Sequence, residues 1–329
     1  MSACLTRRTR GSETKHSRFR QLALALVCAA LPFGVALAAG AQPRAWVSGL
    51  GADAATCGAI TSPCRTLQYS HDNVVAPGGS IYVKDPANYG QLTIRHAISI
   101  INDGSGTATI LAPSGDAVNV NAGPTDAVLI KGLILDGAGS GLRGVVVTSA
   151  GALTIQDCTI QSFRADLIQS TGVRVAPNPN VTISFLIDRS RLVGNLGGGV
   201  AVVADGGGAA FGQIRGSIVS GGTSGVLVAT SLMIFASRVV VEDTVIQGAA
   251  YGLYATHAGA SLVARRAHIS GSGAGTGVDA DNGATVSLSA SDFSNNATDL
   301  VNSSASTLNS YGDNSYATAT GVVTQLAKQ

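Results

Sequence analysis

Hydrophobic residues in the middle of the chain recur with a long and nearly constant period. A glycine followed by aliphatic residues at alternate positions returns six times, at intervals of 25 to 28 residues. The copies begin at Gly144, Gly172, Gly199, Gly225, Gly252 and Gly277. A period in the twenties is typical of a solenoid, in which each repeat buries its apolar face against its neighbours.

A second pattern repeats with the same period. It has two aliphatic residues at alternate positions, a polar doublet, a small residue and a final aliphatic residue. The copies occupy residues 128–135, 153–160, 239–246, 262–269 and 286–293, with rougher copies at 185–192 and 211–218. Alternation predicts strands with one buried face, and the doublet that interrupts it predicts a bend. In five of these copies the small position holds Cys158, Ser190, Thr244, Ala267 and Ser291.

These patterns predict an all-β fold, a single-stranded right-handed parallel β-helix with an N-terminal capping helix. Two strands per period, joined by Gly, Asn, Asp and Ser, leave little room for helices within the repeats. Glycine supplies 42 of 329 residues, while charged residues make up 12% and aromatic residues 5%. This composition suits tight coils filled by aliphatic side chains, with successive turns about 4.8 Å apart.

The N-terminus has the pattern of a secretory signal peptide, residues 1–38. Six bases and one acid precede an apolar run that ends Ala36-Leu37-Ala38. We expect cleavage after Ala38 or, alternatively, after Ala41, and therefore a secreted or periplasmic protein. An uncleaved anchor is the other interpretation, although the run is short for a membrane span.

Removal of residues 1–38 changes the charge of the protein. The chain retains 21 − 6 = 15 bases and 19 − 1 = 18 acids, a net charge of −3. We therefore predict neither a nucleic-acid-binding surface nor a membrane span in the remainder.

Residues 39–79 are predicted to form an N-terminal segment and capping helix. Ser62-Pro63 suggests a helix start, residues 66–75 have apolar positions at helical spacing, and residues 76–79 predict its end. The β-helix is expected over residues 80–316, followed by a C-terminal tail at 317–329. Cys57 and Cys64 are predicted to form a disulfide in an oxidising compartment, since two thiols are too few for structural zinc.

The N-terminal segment also carries a family resemblance. Trp46-Val47-Ser48, Pro63-Cys64-Arg65-Thr66-Leu67-Gln68, Pro77 to Val83, Gly90 to Ile94 and Ile98 to Ile100 resemble the opening of secreted right-handed β-helix proteins. These belong to the pectate-lyase-like group, and this chain is most similar to exported bacterial members without an assigned activity. The resemblance spans roughly residues 45–310. It implies the fold but no single activity, because relatives include polysaccharide lyases, hydrolases, epimerases and non-catalytic adhesins.

The known catalytic motifs of that group are absent from the sequence. Neither the paired aspartates with His-Gly and Arg-x-Lys of galacturonan hydrolases nor the Asp-Pro-His-Glu motif of alginate epimerases is present. Asp279-Ala-Asp281 lacks the closing glutamate of a calcium loop and is interpreted as a turn. Tyr251, Tyr254 and His257 are interpreted as loop packing. We predict no cofactor and no metal site.

Charged residues in the repeated doublet are the best candidates for a functional site. The candidate ligand-binding residues are Arg189, Arg215, Asp243, Arg265 and Arg266. Arg189 is expected beside Asp157, with Arg215, Asp243 and Arg266 on successive rungs. Alternating signs favour cross-rung ion pairs, while carbohydrate binding and acid–base catalysis are the alternatives.

The sequence therefore favours a non-catalytic binding or structural protein of the periplasm or cell surface, with polysaccharide as the candidate partner. The alternative is a lyase or hydrolase acting on acidic polysaccharide. Whether the protein is an enzyme stays open at this point.

Overall fold

The computed structural model describes residues 41–231, 236–271, 274–303 and 305–327. Within these ranges the chain forms 31 strands and one α-helix, and the strands pair in parallel in three sheets. Successive strands pass from sheet to sheet, so the chain winds as a parallel β-solenoid. In this part of the chain no helix is long and apolar enough to cross a membrane. The predicted signal peptide lies outside the described residues.

The three sheets have twelve, ten and nine strands among the described residues. The twelve-stranded sheet contains Gln42–Val47, Val75–Val83, Ile98–Ile101, Ala127–Lys131, Ala152–Gln156, Thr182–Asp188, Ala209–Arg215, Ser237–Glu242, Ala260–Arg265, Thr285–Ser289, Thr307–Ser310 and Val323–Gln325. The ten-stranded sheet contains Leu92–Ile94, Asp116–Asn121, Arg143–Ser149, Thr171–Val175, Gly198–Ala204, Ser224–Thr230, Tyr251–Thr256, Thr276–Asp281, Thr298–Asn302 and Ala319–Thr320. The nine-stranded sheet contains Ala87–Asn88, Ala108–Leu111, Ile134–Gly141, Thr159–Phe163, Arg191–Val193, Ile218–Ser220, Val245–Gln247, His268–Ser270 and Asp292–Ser294.

The glycine-led repeat forms the core of the ten-stranded sheet. Its valines stack in register and are at most 1% exposed: Val145, Val173, Val200 and Val226. The preceding glycines are needed because interior side chains of the nine-stranded sheet fill the space of a Cβ. A Cβ on Gly144 would lie 2.2 Å from Ile160 Cγ2, and one on Gly225 would lie 2.4 Å from Ile246 Cγ2. The predicted interior of stacked aliphatic residues is confirmed.

The doublet of the second repeat bends the chain between the twelve- and nine-stranded sheets, as predicted. Its second residue has a left-handed backbone, with φ between 45° and 53° at Asp157, Arg189, Asp243 and Arg266. The small residue that follows is buried in each copy. At Cys158 burial raises the pKa of the thiol to about 11, which makes it a poor nucleophile at neutral pH.

One copy of that repeat is shifted by one residue from its predicted register. The copy at residues 211–218 predicts that Phe211 points inward, but Gly212 takes the inward position opposite Phe185, and Phe211 points outward with 45% exposure. The Phe185 ring explains the shift, because a Cβ on Gly212 would lie 2.0 Å from its Cζ. The interior therefore alternates a large ring with a glycine at this point.

The N-terminal cap has a helix at Leu67–Asn73, within the predicted region but without the predicted start. Thr66, not Ser62, caps it, and its side chain accepts a hydrogen bond from the Tyr69 backbone N–H. The helix ends before residues 76–79, which were predicted to end it and which lie inside the strand Val75–Val83. That strand pairs with Gln42–Val47, so the stack begins well before residue 80.

The predicted disulfide lies in the same segment. Cys57 and Cys64 are bonded, with 4.9 Å between their Cα atoms, and both are buried. The bond closes the loop that leads into the capping helix.

The chain continues the sheets beyond residue 316, where the sequence predicts that the β-helix ends. Ala319–Thr320 and Val323–Gln325 pair with the preceding rungs. The buried carboxylate of Asp299 holds this last turn by accepting hydrogen bonds from the backbone N–H groups of Ala317 (2.7 Å) and Thr318 (3.2 Å). Strands of two or three residues are too short to show alternation, which explains the error.

Candidate functional site on the twelve-stranded sheet

The charged doublets form two rows instead of the single row expected. The first row lies at the strand ends, where Asp188, Arg215, Glu242 and Arg265 are in register. The second row contains the left-handed residues of the bend. The expected succession of Arg215, Asp243 and Arg266 is therefore wrong, because the left-handed position on the Arg215 rung belongs to Gly216.

Three of the candidate arginines are paired with acids on a neighbouring rung. Arg189 Nε lies 3.0 Å from Asp157 Oδ1, as expected. Arg215 Nε lies 2.8 Å from Asp188 Oδ1, and Arg189 also contacts that carboxylate. These ion pairs join successive rungs along the edge of the solenoid, and we call them the edge ladder. Cross-rung pairs of this kind are what the alternating charges in the sequence favoured.

Arg266 makes the same kind of contact with two acids. Its Nε lies 2.7 Å from Asp243 Oδ1, and its Nη2 contacts Glu242. The hydrogen bond from Arg266 holds the pKa of Asp243 below its usual range. A carboxylate held in this way is a weak base, which disfavours Asp243 as a catalytic proton acceptor.

Two adjoining concavities lie on the outer face of the twelve-stranded sheet. The first, of about 570 Å³, is lined by Ala152, Leu153, Thr154, Ser184, Phe185, Leu186, Phe211, Gly212, Gln213, Arg238, Val240 and Arg265. The second, of about 370 Å³, is lined by Arg238, Val263, Arg265, Arg266, Ser287, Ser289, Ala290, Tyr311 and Asp313. Arg238 and Arg265 belong to both, so they stand at the junction of one continuous surface.

These two arginines differ from those of the edge ladder. Both are exposed, and among the described residues neither has an acid within ion-pair distance. Glu242, the register neighbour of Arg265, is engaged by Arg266 and by Gln213 Nε2 at 2.9 Å. The junction therefore presents two guanidinium groups whose hydrogen-bond donors are available to an anion.

Apolar side chains accompany the positive charges. Phe211 stands outward in the first concavity because Phe185 and Gly212 fill the interior beneath it. Tyr311 lines the far side of the second concavity. Aromatic rings beside arginines can stack on the apolar faces of sugar rings or of other flat ligands.

The structure brings together only part of the predicted site. Arg265 lines both concavities and Arg266 lines the second, whereas Arg189, Arg215 and Asp243 line neither. Sequence reasoning missed Arg238 and Phe211. The alternation of residues 237–242 does place Arg238 on the outward face, but Arg238 lies outside the repeated doublets from which the candidate residues were chosen.

The concavities favour binding over acid–base chemistry. The described residues that line the first concavity include two arginines and no acid. In the second, Asp313 accepts a hydrogen bond from the Ala290 backbone N–H at 2.8 Å. Elsewhere, Asp53, Cys57 and Cys64 lie close enough to share a metal, but the two sulfur atoms are bonded to each other.

Two further predictions for the ten-stranded sheet need correction. Tyr251 and Tyr254 lie in the strand Tyr251–Thr256, not in a loop, and their rings stack with centroids 5.1 Å apart. Asp279 and Asp281 lie in the strand Thr276–Asp281, not in a turn. Val278 and Ala280 are its buried hydrophobic residues and continue the glycine-led repeat, and the turn follows at Asn282 and Gly283.

Parallel strands stacked in three sheets around an aliphatic interior define a β-solenoid. Residues 143–322, more than half of the chain, match the family described as "Right handed beta helix region". The chain therefore belongs to the right-handed β-helix family. A search of curated proteins gives no match.

Proposed function

We propose that the protein is an exported, non-catalytic binding protein that holds acidic polysaccharide along the outer face of the twelve-stranded sheet. The observation that carries this proposal is the pair Arg238 and Arg265. They are exposed, have no acidic partner among the described residues and stand where two concavities meet.

The chemistry of the junction supports an anionic carbohydrate. A guanidinium group binds a carboxylate through two parallel hydrogen bonds, which suits the uronate groups of acidic polysaccharides. The exposed ring of Phe211 offers a surface for a sugar ring beside those charges. An open face that runs over several rungs admits a polymer, and the resemblance to the pectate-lyase-like group agrees with such a ligand.

Export rests on two features. The first 38 residues have the pattern of a signal peptide. The Cys57–Cys64 disulfide supports an oxidising compartment, where such bonds persist.

A lyase acting on the same polymers is the second candidate, and the arginine pair is the observation that favours it. Such an enzyme needs a base beside the proton it removes and a cation beside the charge that develops. The arginines supply the cation, but the neighbouring Glu242 is held by Arg266 and Gln213. Among the described residues no acid beside the two arginines is free to act as that base, which favours binding over catalysis.

Binding is tested by calorimetry of the purified protein with polygalacturonate, alginate and a neutral dextran. We expect both acidic polymers to bind with an affinity that falls as salt is added, and dextran to bind weakly. The double variant Arg238→Ala/Arg265→Ala should bind at least tenfold more weakly. Arg191→Ala, an exposed arginine of the nine-stranded sheet, is the matched control and should bind as the wild type does.

Absence of binding to both acidic polymers, or unchanged binding by the double variant, would overturn the proposal. The lyase is tested in the same samples by the ultraviolet absorbance of unsaturated products, with and without calcium. A steady rise that the double variant abolishes would establish the enzyme instead.

A further inference from the structure

A row of outward side chains crosses the middle of the ten-stranded sheet, one residue per rung. In order it contains Thr93, Asn119, Val146, Arg174, Ala201, Leu227, Tyr254, Asp279, Val301 and Thr320, of which Val146 and Ala201 are themselves buried. The nine residues from Asn119 to Thr320 form pairs of matching chemistry when their order is reversed about Leu227. Reversal of the order places Asn119 opposite Thr320 and Val146 opposite Val301. It also places Arg174 opposite Asp279 and Ala201 opposite Tyr254.

The arginine of this row lacks a partner within the described residues. Arg174 is half-buried and takes part in none of the ion pairs or side-chain hydrogen bonds found there. Burial is the main cause that lowers its pKa, followed by the charge of Arg143; the charge of Asp205 acts in the opposite direction. A guanidinium group in this setting is stabilised by any acid that approaches from outside.

Among the described residues the aspartate of the row, Asp279, lacks a hydrogen-bond donor, just as Arg174 lacks an acceptor. Asp279 Oδ1 is buried and has no hydrogen-bond partner. Burial is the main cause that raises its pKa, and the charge of Asp281 adds to it. A buried carboxylate oxygen without a donor is costly, so a cation placed over it from outside would be favourable.

The two groups cannot satisfy each other within one chain. Arg174 and Asp279 are four rungs apart, which is about 19 Å at the usual strand spacing. They do lie at equal distances from Leu227 on opposite sides of it.

We propose that two copies of this protein pack their ten-stranded sheets face to face with the solenoids antiparallel. The two-fold axis lies in the interface, parallel to the strands and level with Leu227. Each Arg174 then meets Asp279 of the other copy, so both ion pairs form at once, as an isologous interface requires.

The centre of the interface is apolar in this arrangement. Leu227 meets its own counterpart, and Tyr254 of each copy packs over the rung that holds the buried Ala201 of the other. The nine strands that overlap, of about five residues each, give a face of roughly 700 Å² per copy, near the roughly 800 Å² of a stable interface. The face is distinct from the twelve-stranded sheet, so this inference stands or falls separately from the proposed function.

The test is analytical ultracentrifugation of charge variants at about 1–100 µM. We expect the wild type to dimerise, and Arg174→Asp and Asp279→Arg each to dimerise at least tenfold more weakly, since each homodimer would contain two like-charge contacts. An equimolar mixture of the two variants should form a heterodimer, because both contacts are then of opposite charge. The double variant Arg174→Asp/Asp279→Arg should recover dimerisation.

Arg191→Asp, a charge reversal on the nine-stranded sheet, is the matched control and should leave dimerisation unchanged. Far-ultraviolet circular dichroism confirms that each variant is folded, and an unfolded variant cannot produce the heterodimer. A wild type that is monomeric up to about 100 µM would overturn the proposal. So would a dimer that the single variants leave intact, or a mixture that fails to pair.

Discussion

The arginines at the edge of the twelve-stranded sheet and those on its outer face resemble each other in exposure but differ in their neighbours. The side chains of Arg189, Arg215 and Arg266 are 53%, 47% and 55% exposed, yet each contacts an acid one rung away. Arg238 and Arg265 are also exposed, but their register neighbours are serines, Phe211 or a glutamate already engaged elsewhere. Register with the neighbouring rung, and not exposure, separates an arginine that supports the solenoid from one that can bind a ligand.

The largest expected effect concerns the packing that turns Phe211 outward. Gly212→Ala places a Cβ against the Phe185 ring, and overpacking of this kind costs about 3 kcal/mol. We expect the free energy of unfolding in urea to fall by that amount. Polysaccharide binding should weaken as well, because the first concavity lies directly above.

The double variant Phe185→Leu/Gly212→Ala is the matched control, since it removes ring atoms where the methyl group is added. It should recover at least half of the loss. A single variant as stable as the wild type would contradict the interlocked packing of the two residues.

This interlock also shows what the sequence could and could not predict. The solenoid, its period and its interior valines follow from repetition, since every copy supports the same assignment. The repeat predicts Phe211 on the inward face because it favours an apolar residue at that position. Only the volume of Phe185 on the preceding rung decides otherwise, and a contact between rungs is not visible in a single repeat.

The same limit applies to the candidate site. The doublets predicted that arginines and acids would meet at the bend, and they do. Which arginines stay without a partner depends on Gly216 and on the two contacts of Arg266, both set by register. Arg238 could have been found from its strand alternation, but its lack of an acidic neighbour could not.

The second prediction tests the edge ladder. The side chain of Asp188 is 5% exposed and accepts from Arg215 and Arg189. Asp188→Asn removes the charge but keeps the shape, so we expect the free energy of unfolding to fall by about 1–2 kcal/mol. Arg265→Ala is the comparison on the outer face and should change stability by less than about 0.5 kcal/mol. If both variants lost the same free energy of unfolding, the edge ion pairs would contribute no more to stability than the arginines of the outer face.

The third prediction converts a face arginine into a paired one. Ser261 is in register with Arg238, so Ser261→Asp places an acid beside that guanidinium group. An exposed pair contributes about 0–1 kcal/mol, and stability should hardly change. Binding of acidic polysaccharide should weaken severalfold in calorimetry, because the new carboxylate competes for the arginine. Ser261→Asn, which adds the same bulk without charge, should bind as the wild type does.

The smallest effect is the dependence of the edge ladder on pH. Arg266 lowers the pKa of Asp243 in the folded protein. The pair therefore stabilises the fold above the unfolded-state pKa of about 3.9, and this stabilisation is lost as the pH falls toward the folded-state value. The difference in melting temperature between the wild type and Asp243→Asn should be present near pH 6 and shrink as the pH falls below about 4. The difference between the wild type and Arg265→Ala should stay constant over that range, because no acid among the described residues forms an ion pair with Arg265. If the difference in melting temperature for Asp243→Asn also stayed constant with pH, the prediction would be wrong. The charge of Asp243 would then contribute no more to stability than the face arginine Arg265 does.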